Sequence, residues 1–183
     1  YELLGSTRDD AAGEAFAKIA RVLGLGYPGG PAIERISREG NPAAIDFPRP
    51  FIDEDTYDFS FSGLKTAVLN YLNSQKQRKA EINVADVAAS FQQAVIDVLI
   101  AKVLKAVENY PVKSVILSGG VSANSALREQ LARRLEEYNL PLYTPELQYC
   151  TDNAAMIGSV AYYKYLKRDF SPLTLAAKAN LKL

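Results

Sequence analysis

The sequence predicts an α/β fold in which helices pack on a central sheet. Short apolar runs typical of strands alternate with amphipathic segments of helical period, and glycine-rich turns separate the two. Of the 183 residues, 48% are apolar and 23% are charged, a composition typical of globular proteins. A chain of this length can bury one hydrophobic core of fair size. We therefore expect one domain over residues 1–183, with a mostly helical insertion over residues 27–83.

Cap and turn residues place the elements in the first half of the chain. Asp9 and Asp10 precede an amphipathic stretch, as helix caps do, and Gly24 and Gly26 end it. Proline and glycine then form a rigid turn at residues 27–31. The elements predicted from these signals are a strand over residues 1–4, helices from Asp9 to about Leu23, from Ala32 to Glu39 and from about Gly63 to Leu72, and a charged, exposed stretch over residues 74–81.

The second half of the chain is predicted to contain the longest helix and two strands. Val84 to Asn109 carries apolar residues at helical spacing, and the apolar run Val112–Leu117 suits a buried strand. The remaining predicted elements are a helix over residues 125–138 with Leu127, Leu131 and Leu135 on one face, a strand at Leu142–Tyr143 and a last helix over about residues 152–167.

The composition excludes several kinds of site. The chain has no histidine, so it cannot supply a Ser-His-Asp triad, an HExxH protease site or a histidine metal ligand. The charges of its 21 basic and 21 acidic residues cancel. This argues against a strong overall positive potential that would attract nucleic acid, but it allows a local basic patch. The single cysteine, Cys150, excludes an internal disulfide and fits a reducing compartment, so we expect a cytoplasmic location.

Residues 118–124, Ser-Gly-Gly-Val-Ser-Ala-Asn, join a predicted strand to a predicted helix. Two glycines let the backbone turn sharply and let a ligand approach it closely. The helix that follows directs free amide groups and the positive end of its dipole toward the space above the loop, which is how α/β proteins hold phosphate. Taken alone, the segment is equally consistent with an ordinary strand-to-helix turn.

Two acidic residues are candidate ligands, and each has a simpler alternative. Asp152 follows a strand and begins a helix, so it could bind Mg²⁺ or Mn²⁺, or share iron or zinc with imidazoles supplied elsewhere. The alternative is that Thr151 or Asp152 is only a helix N-cap. Glu34 follows the glycine-proline turn and could accept hydrogen bonds from ribose hydroxyls; the alternative is a solvated surface carboxylate.

Residues 58–66 alternate aromatic and small polar side chains before a predicted helix. Phe59 and Phe61 could pack in the core while Ser62 caps the helix. Alternatively, the hydroxyls and Lys65 could form a lid over an anionic substrate. Three arginines, at positions 128, 133 and 134, are either solvated or part of an RNA-facing surface.

Five segments occur together in one order: DDAAGEAF at residues 9–16, YPGGP at 27–31, DFSFSGLK at 58–65, SGGVSAN at 118–124 and CTDN at 150–153. On these motifs the chain resembles the carboxyl-terminal part of the bacterial tRNA threonylcarbamoyladenosine transferase (TsaD) family, whose older names are Gcp and O-sialoglycoprotein endopeptidase. The resemblance covers nearly the whole chain, and five motifs in order are far more specific than any one of them.

The resemblance implies the second lobe of an actin/Hsp70/sugar-kinase-like (ASKHA) fold with a small helical insertion. It also implies transfer of a threonylcarbamoyl group from threonylcarbamoyl-AMP to the exocyclic amine of an adenine next to the tRNA anticodon. Gly30 and Asn124 would contact the adenylate, Glu34 the ribose, and Asp152 a divalent metal, iron or zinc with magnesium as an alternative. The implied partners are tRNA, a TsaB-like paralogue and a TsaE-like ATPase.

Two departures from the family pattern modify these expectations. The family continues Phe-Asp-Lys, with the aspartate reaching the ribose, whereas this chain has Phe16-Ala17-Lys18. A lost hydrogen bond costs roughly 1 kcal/mol, so we expect weaker nucleotide binding. The family's HxxxH metal pair, its first lobe and the opening strands of the second lobe are missing from these residues. We therefore expect an incomplete lobe that binds metal weakly and is inactive alone.

Two other functions stay open at this point. The chain could be a non-catalytic nucleotide-binding scaffold module of the modification complex. It could also be a metalloprotease, as the older family name suggests, although the sequence has no HExxH or other self-contained protease site. A strand at residues 1–4 without its neighbours would leave an exposed edge, which predicts self-association.

Overall fold

The structure, a computed structural model that describes residues 2–177, is an α/β fold in which helices predominate and one small sheet forms. The predicted α/β class is confirmed at this level. The elements are α1 (Ala12–Val22), α2 (Gly29–Ser37), α3 (Ser62–Gln77), α4 (Val84–Asn109), β1 (Val115–Ile116), α5 (Ser125–Glu136), β2 (Leu142–Tyr143) and α6 (Ala154–Leu166), with 3-10 turns at Gly120–Ala123 and Leu147–Tyr149.

Helix α4 has the bounds predicted from its apolar spacing and lies at the centre of the fold. Asn83 caps it by accepting hydrogen bonds from the amides of Ala85 and Asp86. Its length and composition would allow it to cross a membrane, but 72% of its most apolar window is buried inside the protein, as in the core helix of a globular fold.

Two hydrophobic clusters meet on α4. Phe91 and Val95 belong to the first cluster, which α1, α2 and α3 complete, and the ring of Phe91 meets that of Phe16 edge-on at 5.3 Å. Ile96 and Ile100 belong to the second, which contains the three predicted leucines of α5, all at most 1% exposed. Because both clusters share one helix, α4 fixes the position of α1 and α2 relative to α5.

The sheet is smaller and less buried than predicted. β1 pairs in parallel with β2, with Val115 opposite Leu142 and Ile116 opposite Tyr143. Val115 and Leu142 face the second cluster, whereas the alternate residues Ile116 and Tyr143 are 74% and 59% exposed. The predictions of a central sheet and of a buried strand over Val112–Leu117 are therefore wrong for the described residues, because helices cover only one face of this pair.

The amino-terminal segment does not form the predicted strand. Residues 2–4 have no regular structure, and Tyr1 lies outside the described residues. The segment instead pairs at Thr7, through an isolated parallel bridge to Phe59, and the Arg8 amide donates to the Phe59 carbonyl at 2.9 Å. Self-association through an exposed strand edge at residues 1–4 consequently has no structural basis in the described part of that segment.

Helix α2 begins at Gly29, three residues before its predicted start. A side chain at Gly29 would lie 2.6 Å from the Cα of Ala17, so glycine permits the close approach of α1 and α2. Helix α3 ends five residues later than predicted and takes in part of the charged stretch at residues 74–81. The early start of α2 reflects its packing against α1, which overrides the local turn signal.

Asp9 does not cap α1, contrary to the sequence prediction. Helix α1 begins at Ala12 after Ala11, and Asp10 instead forms an ion pair with Lys18 at 2.6 Å. The Asp9 carboxylate caps α3, where it accepts hydrogen bonds from the Phe61 amide at 2.8 Å, from the Ser62 hydroxyl at 2.6 Å and from the Ser60 hydroxyl. A carboxylate distant in sequence therefore replaces the predicted Ser62 cap.

The cap makes stability depend on the charge of Asp9. Burial opposes ionisation, but the hydrogen bonds from Ser60, Ser62 and Phe61 outweigh it and lower the pKa of Asp9 from 3.8 to about 2. Since the folded-state pKa lies below the unfolded one, the ionised cap stabilises the protein above pH 3.8, and this contribution is lost as the pH falls through about 2.

We predict that Asp9→Asn lowers the free energy of unfolding by about 1 kcal/mol near pH 6. Urea unfolding of the wild type and the variant between pH 6 and pH 2 measures it. The difference between the two should shrink as the pH falls from 3.8 toward about 2, because Asp9 of the wild type is then protonated in the unfolded state and becomes half protonated in the folded state. A difference that stays constant over this range would contradict the cap.

Lys102 of α4 is a buried cation that holds a loop. Its side chain is 3% exposed, and Nζ donates to the carbonyls of Glu54 at 3.2 Å, Thr56 at 2.9 Å and Phe51. Burial lowers the pKa of Lys102 by disfavouring its charged form. One ammonium group thus joins three loop carbonyls. The Thr56 carbonyl has no other donor among the described residues, whereas the carbonyls of Phe51 and Glu54 also accept from the amides of Glu54 and Thr56.

We predict that Lys102→Met lowers the free energy of unfolding by about 1–3 kcal/mol, because the Thr56 carbonyl loses its donor and the Phe51 and Glu54 carbonyls each lose one of theirs. Urea unfolding and limited proteolysis of residues 51–56 measure it. Lys105→Met is the matched control, because Lys105 pairs with the exposed Asp55 and should contribute much less. Equal effects of the two substitutions would refute the special role of Lys102.

Candidate functional site

A cavity of about 370 Å³ lies where three segments meet: α1, the start of α2, and residues 118–124, here called the glycine loop. Gly30 and Glu34 line it from α2, Asn124 lines it from the glycine loop, and Thr151 lies at its edge. The structure therefore brings together three of the residues that the sequence predicted for nucleotide binding. Ala17 lines the wall from α1 with a methyl group, at the position where the resemblance implies a carboxylate.

The glycines leave this part of the surface open to a ligand. Gly119 directly precedes the 3-10 turn Gly120–Ala123. Its φ is +82°, a backbone conformation that strongly favours glycine. A Cβ added to Gly30 or Gly120 would have nothing within 4 Å. A ligand can therefore contact the backbone directly at both walls.

Asn124 has a structural role in addition to its place in the cavity. Its Oδ1 accepts a hydrogen bond from the Leu127 amide at 2.9 Å and so caps α5, while its Nδ2 donates to Gln92 at 2.7 Å. The side chain is buried, with the residue 7% exposed. Its orientation is thus set by α4 and α5 before any ligand binds.

Glu34 joins the two walls of the cavity. Its Oε1 accepts hydrogen bonds from the Ser125 hydroxyl at 2.5 Å, the Ser125 amide at 3.2 Å and Arg38 at 3.1 Å. The amide groups expected to be free at the start of α5 are therefore partly used, by Glu34 at Ser125 and by Asn124 at Leu127. Among the described residues, Oε2 of Glu34 has no hydrogen-bond partner.

Asp152 lies in a second, more open concavity of about 720 Å³. Ser118 and Gly119 line it as well, and it shares Gly120 and Thr151 with the first cavity. Asn153, rather than Thr151 or Asp152, caps α6 by accepting from the Met156 amide at 2.9 Å. The Asp152 carboxylate is thus exposed and, within residues 2–177, makes no hydrogen bond or ion pair.

The residues present do not form a metal site by themselves. Across residues 2–177 no three of the His, Cys, Asp and Glu side chains stand close enough to share an ion. Protein sites for zinc or iron use three or more such ligands, and Asp152 offers one. Any metal at Asp152 would need ligands from outside this chain.

The other sequence candidates have structural roles. Phe61 is fully buried and stacks with Phe59 at 6.2 Å, and none of residues 58–66 lines the first cavity. Arg133 and Arg134 pair with Glu129 and Glu137 on the surface, which weakens the prediction of an RNA-facing patch. Arg128 instead points inward and donates to the Pro145 carbonyl at 2.7 Å.

Comparison with known proteins bears on the identity of the chain. Residues 1–159 match the family of tRNA N6-adenosine threonylcarbamoyltransferases (TsaD). A protein of that name from Moorella thermoacetica is 59% identical over 99% of this chain and 53% of its own length. One from Clostridium botulinum is 55% identical over 100% of the chain and 54% of its own length. The chain spans about half the length of the curated relatives it matches. It belongs to the tRNA N6-adenosine threonylcarbamoyltransferase family.

Proposed function

We propose that this chain is the adenylate-binding part of a tRNA-modifying transferase and the second lobe of an ASKHA fold. One observation supports this above all: the cavity lined by Gly30 and Asn124 adjoins the concavity lined by Asp152, and the two share Gly120 and Thr151. An adenylate with its base and ribose in the first would carry its phosphate over Gly120 and its acyl end beside Asp152.

In the proposed reaction, threonylcarbamoyl-AMP is the donor and an adenine of tRNA is the acceptor. The exocyclic amine attacks the carbamoyl carbon, a C–N bond forms, the C–O bond to the phosphate breaks, and AMP leaves with the electron pair while the amine loses a proton. The open backbone at Gly119 and Gly120 suits the leaving phosphate, because main-chain amides at such a turn stabilise negative charge.

Glu34 and Asn124 have different parts in the proposed binding. The free Oε2 of Glu34 would accept hydrogen bonds from ribose hydroxyls, and Asn124 would offer its remaining amide hydrogen to the adenylate. Ala17 supplies no second acceptor, so we expect the ribose to be held less tightly than it would be with the aspartate that the resemblance implies there. Both ligand groups are already oriented by protein contacts.

The proposal extends to the intact protein. There Asp152 would supply one ligand to a divalent metal, iron, zinc or magnesium, whose other ligands come from outside these residues. The partners would be tRNA, a TsaB-like paralogue and a TsaE-like ATPase, in the cytoplasm. Within the described residues, Asp152 is the single carboxylate that lines the second concavity, and no group of three ligands forms. This favours a second candidate function for the isolated chain, a nucleotide-binding module without turnover.

We predict that Gly30→Ala weakens AMP binding by about tenfold or more, since the new methyl group enters the cavity. The fold should be as stable as before, because a Cβ at Gly30 meets nothing within 4 Å. Calorimetric titration with AMP and thermal unfolding measure the two effects. Gly158→Ala is the matched control: it is equally open, lies in α6 and does not line the cavity. Unchanged AMP affinity in Gly30→Ala would place the ligand elsewhere.

We predict that Asp152→Asn reduces threonylcarbamoyl transfer to tRNA by at least about tenfold, equivalent to ~1.4 kcal/mol of transition-state stabilisation. The assay uses this chain joined to the part of the Moorella relative that it does not match, with tRNA, donor and partner proteins. AMP binding should persist in the variant. The isolated chain should show no transfer. Robust turnover by it would contradict the proposal that residues outside this chain complete the site.

A further inference from the structure

We propose that Arg128 is a positioning residue. It holds residues 145–152, here called the Asp152 segment, in place against the glycine loop. The inference rests on the proposed function, in which these two segments hold the two ends of one adenylate. Sequence alone left Arg128 as a solvated or RNA-facing residue. The structure shows its guanidinium turned inward from α5, half-buried between three segments of the chain.

Each of the three segments offers one acceptor to Arg128. Its Nε donates to the Ser122 carbonyl in the 3-10 turn of the glycine loop. Its Nη2 donates to the Pro145 carbonyl, just after β2, at 2.7 Å, and to the Cys150 sulfur at 3.1 Å. Cys150 is two residues before Asp152, so one rigid guanidinium links the glycine loop to the Asp152 segment.

The Asp152 segment has few other attachments to the fold. Tyr149, Thr151 and Asp152 are all exposed, and β2 pairs with β1 over only two residues. Helix α6, which follows, is exposed along its whole length. Cys150 is the exception, at 3% exposure, and it is where Arg128 makes contact. The position of Asp152 therefore depends on this contact more than on any helix.

The relation between the two concavities follows from the same contacts. They share Gly120 and Thr151, which lie close in sequence to Ser122 and Cys150. A shift of the 145–152 segment relative to Ser122 would open the boundary between them. Lysine cannot replace Arg128, because an ammonium on a flexible stem cannot reach all three acceptors in the planar arrangement of a guanidinium.

Cys150 gives a direct readout, because it is the only cysteine in the chain. We expect its alkylation by iodoacetamide under native conditions to be at least about tenfold faster in Arg128→Lys and Arg128→Met, since local opening of the segment exposes it. Arg133→Met is the matched control, because Arg133 lies on the same helix and pairs with Glu129 on the surface. Its alkylation rate should equal that of the wild type.

A second control separates local opening from general loss of stability. Leu131→Ala removes a buried side chain of α5 that is 1% exposed and does not contact the Asp152 segment through hydrogen bonds. With urea adjusted so that the unfolding free energies match, the Arg128 variants should still react faster than Leu131→Ala. Equal rates at equal stability would overturn the positioning role.

Ligand binding supplies an independent test. Arg128→Lys keeps the positive charge but loses the geometry, so it should weaken AMP binding several-fold more than adenosine binding, because only AMP places a phosphate over Gly120. An equal loss for both ligands would overturn the proposal. If the wild type binds neither ligand, the proposed function fails, and the alkylation rates alone decide the role of Arg128.

Discussion

The burial of α4 is the constraint on which the rest of the structure depends. A 26-residue helix with apolar side chains on most of its surface must be covered on several sides at once. Helices α1 to α3 cover it with one cluster, and α5 with the small sheet covers it with the other. Both walls of the cavity lined by Gly30 and Asn124 therefore rest on the same helix. Gln92 of α4 even bonds directly to Asn124.

The candidate ligand groups are also structural groups. Asn124 caps α5 and bonds to α4, and Glu34 joins α2 to the start of α5. Such dual use orients the site before a ligand arrives, which reduces the entropy lost on binding. It also means that alanine substitutions at these two positions would disturb folding and binding together. Gly30 avoids this difficulty, since its surroundings are open.

The two halves of the site differ in how firmly they are built. The cavity around Gly30 and Asn124 lies between helices that pack on the core, whereas Asp152 stands on an exposed segment before an exposed helix. The contact between Arg128 and Cys150 anchors this exposed segment to the fold. The family relationship, over about half the length of the relatives, is consistent with a site to which further residues contribute.

Local sequence determined the elements whose signals lie within a few residues of one another. The bounds of α4, the start and leucine face of α5, the glycine loop and β2 were predictable because helical period and turn chemistry depend on near neighbours. The five ordered motifs likewise identified the family and the residues around the cavity. Only the tertiary structure decided that Asp9 caps a helix 53 residues away, that Arg128 turns inward to Cys150, and that β1 is half-exposed. Hydrogen bonds between distant segments and the covering of a sheet depend on how whole elements pack, and no local pattern records that packing.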